Sequence, residues 1–442
     1  MRVDHMRILC LLTSAFPFGT GEEFIREELE HVEGFDQVIV CALGARQGDV
    51  QTIEVPQGVR VIAPLGSGVT PIAGMRLICL RGEVLREIAG IIWAGRFVGQ
   101  RLRALASLMR RVWQASDAVG QLCSLVVAAQ PDTVVLYSYW FYGEAYCALL
   151  AKDRVTRSSS ASVHVVSRAH RFDLYEEHSA YGYLPFRSYL LNHVDAVFPC
   201  SSHGARYLQL RYPAFARKIR PAFLGVAGDS TWDLSVRREA SGVCLPSVVG
   251  HQVACAWRPS GRPFHVVSCS SLTPVKRVSL LAEAIGRLTF QVQWTHLGSG
   301  PEEMAIRKIV STFPDNATAI LSGQVSNEDV RSFYRETAVD VFVNVSASEG
   351  IPVSIMEALA SGVPVLATDA GGSMEAVRPS VDGYLLPVDA SADVVAEAIA
   401  KIHSLDSEAY AALSEGARAA WASKFDANRN YAEFFEMLAA LD

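Results

Sequence analysis

Along the chain, short apolar runs alternate with longer amphipathic stretches, in a rhythm that is played twice. The run at 8–12 (ILCLL) is short and unbroken, which predicts a buried strand. A Gly-containing loop follows, then a helix begun by Gly21, Glu22 and Glu23, whose acids suit the positive end of a helix dipole. Further strands are predicted at 37–43, 59–64, 133–139, 162–169 and 196–201, with helical stretches between them. Between 224 and 263 the composition turns to Gly, Pro, Ser and Asp (GVAGDSTWDL, ACAWRPSGRP), which marks a connection. The rhythm restarts with strands at 264–271, 291–298, 317–323, 339–345, 363–368 and 383–388. The last stretch is an amphipathic helix with Tyr431, Phe434 and Phe435 on one face. Strand–helix alternation of this kind predicts the α/β class with doubly wound parallel sheets. The expected domains are 1–240 and 241–424, both Rossmann-like, with 425–442 a helix crossing back to the first.

Composition agrees with two domains. A chain of 442 residues is too long for one ordinary core, and with 50% apolar and 19% charged residues it can bury substantial ones. The formal net charge of −6 gives no global attraction to nucleic acid, and no nucleic-acid partner is expected. Nine cysteines (Cys10, Cys41, Cys79, Cys123, Cys147, Cys200, Cys244, Cys255, Cys269) are scattered without a Cys-x-x-Cys pair, which reads as reduced core thiols of a cytoplasmic protein. No apolar run approaches the roughly 20 residues that span a bilayer. One segment, 75–126, breaks the rhythm. It carries Arg76, Arg81, Arg86, Arg96, Arg101, Arg103, Arg110 and Arg111 among Trp93, Phe97 and Trp113, with two acids before Asp117. Such a segment is either a helical pair packed on the first sheet with a solvated arginine face, or a surface in peripheral contact with an anionic membrane face; periodicity does not separate the two.

Candidate chemistry concentrates in 346–377, SASEGIPVSIMEALASGVPVLATDAGGSMEAV. Glu349 falls in the loop after an apolar strand, where α/β sheets bind ligands, and seven residues separate it from Glu357. Pro352 suits the first position of a helix, Gly362 its stop, and Pro364 the start of the next strand. The helix start offers free N–H groups to an anion such as a diphosphate.

These residues resemble the signature of the family-4 (group 1) glycosyltransferases. The resemblance runs over nearly the whole chain and implies the GT-B fold, two Rossmann-like domains facing across a cleft. It implies that Glu357 holds the nucleotide ribose and Glu349 lies beside the donor sugar, with Gly350, Ile351, Pro352 and the loop Gly371, Gly372 and Glu375 around the donor. Upstream, SCSSLTPVKRVSLLAEAI is similar to the family's phosphate-binding segment: Lys276 matches its lysine, with Arg277 as helper, while Ser271 stands where the family has an arginine. A cation there neutralises the departing diphosphate. Gly323, Gln324 and Val325 match a base-pocket segment. In the first domain, Gly19 and Gly21 resemble a Gly-rich loop that lets backbone approach the diphosphate, and His170 resembles a histidine that reaches the reacting centre. Asp173 and Arg168 beside it are candidates for the acceptor.

The expected activity is therefore a retaining transfer from a UDP- or GDP-linked sugar to a saccharide or lipid-linked saccharide acceptor. No cofactor and no metal are expected, since no Asp-x-Asp motif follows a strand. Two other readings remain: a non-catalytic nucleotide-sugar-binding partner, suggested by Ser271, and a sugar-nucleotide epimerase of the same fold.

Overall fold

A computed structural model describes residues 5–19, 21–64, 81–93, 98–179, 183–228 and 261–441. The expected domain boundary at 240/241, most of the Gly- and Pro-rich connection, Arg76, Arg96, Phe97, Cys79, Cys244 and Cys255 lie outside the described residues. The chain divides into two compact units, Met1–Phe223 with Tyr431–Asp442, and Leu224–Asn430.

In the first unit, strands β1 (Arg7–Thr13), β2 (Gln37–Ala42), β3 (Val59–Ile62), β4 (Thr133–Ser138), β5 (Ser162–Ala169) and β6 (Ala196–Pro199) make one sheet, all pairs parallel, in the order β3-β2-β1-β4-β5-β6. Strands buried on both faces need no polar alternation, and β1 reads Ile-Leu-Cys-Leu-Leu with every one of these residues enclosed. The helices are α1 (Phe24–Leu29), α2 (Gly82–Trp93), α3 (Val98–Ala129), α4 (Gly143–Ser158), α5 (Arg171–Leu174), α6 (Arg187–His193) and α7 (Ser202–Arg211). Ala104, Leu108, Val112, Ala115 and Leu122 recur on one face of α3 at helical spacing and enter the core.

The second unit repeats the plan with β7 (Phe264–Cys269), β8 (Val292–Leu297), β9 (Ala317–Leu321), β10 (Val341–Asn344), β11 (Val365–Thr368) and β12 (Gly383–Leu386), ordered β12-β11-β10-β7-β8-β9. Its helices are α8 (Val278–Ile285), α9 (Glu303–Val310), α10 (Asn327–Glu336), α11 (Val353–Ala360), α12 (Ser373–Ala376), α13 (Ala392–His403) and α14 (Ser407–Lys424); α15 (Ala427–Ala439) ends the chain. Counted from its own first strand, each sheet has the order 3-2-1-4-5-6, which is doubly wound. Winding reverses between β1 and β4, and again between β7 and β10. There the loops at the carboxyl ends diverge and leave a crevice.

Two local expectations shift. The first helix starts at Phe24, later than Gly21–Glu23, because the Glu22 carboxylate turns back onto the preceding loop. Pro352 is the residue before α11 in extended backbone, so the helix begins at Val353. The described cysteines form no disulfide. Among the described residues no helix is long and apolar enough to cross a membrane.

Candidate functional site

In the second unit the loops after β7 and β10 flank the switch point and are joined by their backbones, the Ala347 N–H donating to the Val275 carbonyl at 2.8 Å. The next residue, Lys276, donates from Nζ to Glu349 Oε1 at 2.6 Å, and Asn344 Nδ2 donates to the same oxygen at 3.4 Å. Glu349 is buried while Lys276 keeps part of its side chain open. An ammonium carries three N–H groups, so this pairing leaves two for another anion. Arg277 sits in left-handed backbone (φ 49°) and turns its guanidinium to the Val345 carbonyl at 2.8 Å and the Ser346 carbonyl at 3.5 Å. It braces the end of β10. Ser271 is exposed in the same loop after β7.

The turn that carries Glu349 is held by the glycine pair. A Cβ on Gly371 (φ +60°) would lie 2.0 Å from the Glu349 carbonyl oxygen, and one on Gly372 would lie 2.2 Å from that of Gly350. No side chain fits between such close backbones, which is why these two positions are glycine. Ile351 is buried beneath Gly372. Glu375 caps the run, its N–H donating to the Gly372 carbonyl and its carbonyl accepting from Lys424 Nζ at 2.6 Å. On the other side of the switch point, Gly323 (φ +72°) accepts from the Gly298 N–H at 2.8 Å, and Gln324 Oε1 accepts from Ser299 Oγ at 3.3 Å, with Val325 following.

Glu357 lies on the fifth residue of α11 and is buried. With Ala360 and Ser361 from its own face, it lines a cavity of about 150 Å³ closed by Arg331, Tyr334 and Arg335 of α10 and by Ala227 and Gly228. Arg331 and Arg335 were not singled out from the sequence. Their four-residue spacing on a helix after the 323–325 loop was the available signal.

The first unit holds Gly19, Gly21, Arg168, His170 and Asp173. Glu22 Oε2 accepts the N–H groups of Ala15 and Phe16 at 2.7 and 2.6 Å, Oε1 that of Ser14 at 3.2 Å, and Trp140 Nε1 donates to it as well. The loop after β1, with Gly19 and the exposed Gly21, is thereby tied to the loop after β4. Beside it Ser14 Oγ donates to Glu144 Oε1 at 2.6 Å, and Arg111 lies 3.4 Å over the Tyr142 ring. Trp140 and Glu144 were not singled out in the sequence, and Glu22 was read there only as an acid at the start of a helix.

His170 follows β5, stacks on Tyr139 with ring centroids 4.8 Å apart, and is 8% exposed. Its Nε2 has no hydrogen-bond partner. Burial, helped by the Arg168 charge, lowers its pKa to about 3, so the ring is neutral at pH 7. The Asp173 carboxylate accepts the N–H groups of His170 and Phe141 at 2.5 and 2.6 Å and so fixes the turn, while burial pushes it up to about 7. Arg168 corrects the expectation of acceptor binding. It is 0% exposed and donates to Glu28 Oε1 at 3.1 Å, to Tyr137 Oη at 2.7 Å and to the Ala222 carbonyl at 2.8 Å, so no acceptor reaches it. Among the described residues, no three His, Cys, Asp or Glu side chains gather as metal ligands.

Comparison with known proteins places this geometry. Residues 257–420 match the family model described as glycosyl transferases group 1. The chain is similar to a GDP-mannose-dependent alpha-mannosyltransferase of Mycolicibacterium smegmatis, 32% identical over 145 residues, covering 33% of this chain and 36% of that protein. It is also similar to a putative colanic acid biosynthesis glycosyltransferase, WcaL, of Escherichia coli, 28% identical over 163 residues, covering 35% and 40%. The alignments thus span well under half of the curated relatives' length. Among solved structures, sucrose-phosphate synthase from Thermosynechococcus elongatus superposes with a TM-score of 0.68 at 17% identity, covering 99% of each chain. HepE of Anabaena in complex with UDP-glucose superposes with a TM-score of 0.63 at 18% identity, covering 99% of this chain and 100% of that one. At these identities the likeness is one of fold, the GT-B fold of two Rossmann-like units.

Proposed function

Because residues 257–420 match the family model of the group 1 glycosyltransferases, we propose that the chain moves a sugar from a nucleotide-diphosphate sugar to a hydroxyl of a saccharide or lipid-linked saccharide acceptor. In this reading transfer is metal-independent, retains the anomeric configuration, and takes place on the cytoplasmic side in the assembly of a surface polysaccharide or lipid-linked glycan, in peripheral contact with the anionic membrane face. The observation that carries it is the Lys276–Glu349 pair at the β7/β10 switch point, one helix away from buried Glu357.

The bond between sugar C1 and the diphosphate oxygen breaks, and its electron pair leaves with the nucleoside diphosphate. Lys276 neutralises that charge with the two N–H groups that Glu349 leaves unused. The acceptor oxygen bonds to C1 on the same face, and its proton passes to the departing phosphate, so no side-chain nucleophile is required. Glu349 orients the sugar hydroxyls and Glu357 the ribose. The donor is UDP- or GDP-linked. The mycolicibacterial relative is GDP-mannose-dependent by name, and HepE was solved with UDP-glucose.

The test is chromatographic detection of nucleotide release by the full chain, in EDTA, from a panel of UDP- and GDP-sugars with and without methyl glycosides, with the product anomer read by NMR. Release in EDTA to give the donor's own anomer is the expected result. Activity that EDTA removes and manganese restores would refute the metal-free mechanism, and an epimerised donor without transfer would refute the transferase reading. Glu357→Ala should weaken nucleotide binding by roughly 1.5–3 kcal/mol in calorimetry, the worth of hydrogen bonds to a charged group; wild-type affinity would remove Glu357 from the ribose.

A further inference from the structure

The outward face of α2 carries the wrong residues for a surface in water. Val84, Ile88 and Ile91 enter or pack on the core, which accounts for one apolar stripe. A second stripe points away: Leu85, Ala89, Ile92 and Trp93 are exposed, Trp93 at 86%. A helix that is apolar on both sides is expected only where both sides are covered. The first turns of α3 continue the theme, with Val98 at 71% and Leu102 at 62% exposed and Ala106 one turn further on. Each stands four residues from the next, on the face opposite to buried Ala104 and Leu108.

The charges around these stripes are of one sign. Arg86, Arg103 and Arg110 are exposed. From 81 to 116 the sequence holds two acids, Glu83 and Glu87. Both are turned inward: Glu83 pairs with Arg81 and accepts from Tyr146, and Glu87 is half-buried against the Phe186 backbone. A cover for this face must therefore be apolar within and anionic at its rim. A second copy of the chain does not fit, since a two-fold contact would set the same arginines against themselves with no acid to receive them. An anionic bilayer supplies acyl chains for Trp93, Ile92, Val98 and Leu102, and phosphates for the arginines.

We infer that the outward face of α2 and the first turns of α3 are the membrane-docking surface of this protein, taking anionic phospholipid. The inference rests on the membrane contact included in the proposed function, and specifies the side chains that make it. It does not depend on the donor chemistry.

The test is flotation of the full chain with vesicles of phosphatidylethanolamine and phosphatidylglycerol, against pure phosphatidylcholine, at 50 and 500 mM salt. Wild-type protein should float with the anionic vesicles at low salt and be released at high salt, because exposed charges are screened. Arg86→Glu with Arg103→Glu should lower binding at least tenfold, and Trp93→Ser with Leu102→Ser should lower it at both salts. Calorimetric binding of UDP or GDP, read on every variant, should stay at the wild-type value; that measurement reports folding and the donor site separately. Wild-type protein left unbound at 50 mM salt, equal binding to neutral vesicles, or a dimer in light scattering that these substitutions dissolve would overturn the proposal.

Discussion

His170 shows how far a residue's chemistry is set by its shell. A histidine free in water exchanges its proton near pH 6.5, but here burial and the neighbouring Arg168 charge hold the ring neutral down to about pH 3. The folded pKa lies below the unfolded one, so between pH 6.5 and 3 the unfolded chain binds the extra proton and stability falls as pH falls. Asp173, raised by burial to about 7, has the opposite sign: the stability its protonated form contributes is lost as pH rises from about 4 towards 7. The two oppose each other within one loop, so wild-type protein hides them. The difference in unfolding free energy between wild type and His170→Gln isolates the histidine. It should shrink by up to about 1.4 kcal/mol per pH unit below pH 6.5; a difference that stays level from pH 6.5 to 4.5 in urea titrations would mean that the ring is not held neutral. In the sequence, His170 was visible through the family resemblance of the segment that follows an apolar strand. Its neutrality was not, because the main cause is burial in the fold, and the second, the Arg168 charge, was read as an acceptor contact but is enclosed with Glu28, which lies 140 residues away along the chain.

At the scale of elements, the strands were the legible part. In a parallel sheet the central strands are covered on both faces and read as largely apolar runs; β4, β7 and β10 fall within the expected runs, and β1 contains the one at 8–12. Loop architecture was harder to read, because it depends on backbone meeting backbone across distant segments. The Gly-Gly loop is the exception, legible as a motif but explained only by the 2.0 Å and 2.2 Å approaches to the Glu349 and Gly350 carbonyls. Gly371→Ala should therefore act on the Glu349 turn without touching a ligand. Two penalties combine, a methyl driven into a carbonyl and a left-handed φ that an L-residue adopts at a cost of 1 kcal/mol or more. The expected outcome is destabilisation of about 2–4 kcal/mol, or, where the turn yields instead, a Lys276–Glu349 pair displaced and nucleotide release reduced by at least tenfold. Wild-type stability together with wild-type turnover would show that the glycine answers no steric need.

For the whole molecule, the decisive feature is that the first unit is completed by the last residues of the chain. Tyr431, Phe434 and Phe435 are buried, each 1% exposed, and the Phe434 ring lies 4.0 Å from the Arg168 guanidinium and 5.4 Å from the Tyr137 ring. The sequence foretold the apolar face of this helix, but not that it closes over an ion pair. That closure has an energetic consequence. The helix buries its three aromatic rings, Phe434 against Tyr137 and the Arg168 guanidinium, and without it that apolar surface of the sheet is left open to water. Residues 1–223 carry all six strands of their sheet yet lack this cover, so the isolated fragment should fail to give a cooperative unfolding transition. In the full chain, Phe434→Ala should cost about 3–5 kcal/mol, as for other buried aromatic deletions. Phe434→Leu, which keeps most of the cover, should cost clearly less. Hydrogen exchange supplies the local readout: in the alanine variant, amides of β4 and β5 should lose protection, because those strands carry Tyr137 and Arg168. Unchanged exchange in β4 and β5 with an unchanged melting temperature would mean that the last helix merely rests on the sheet, and that the ion pair is sealed without it.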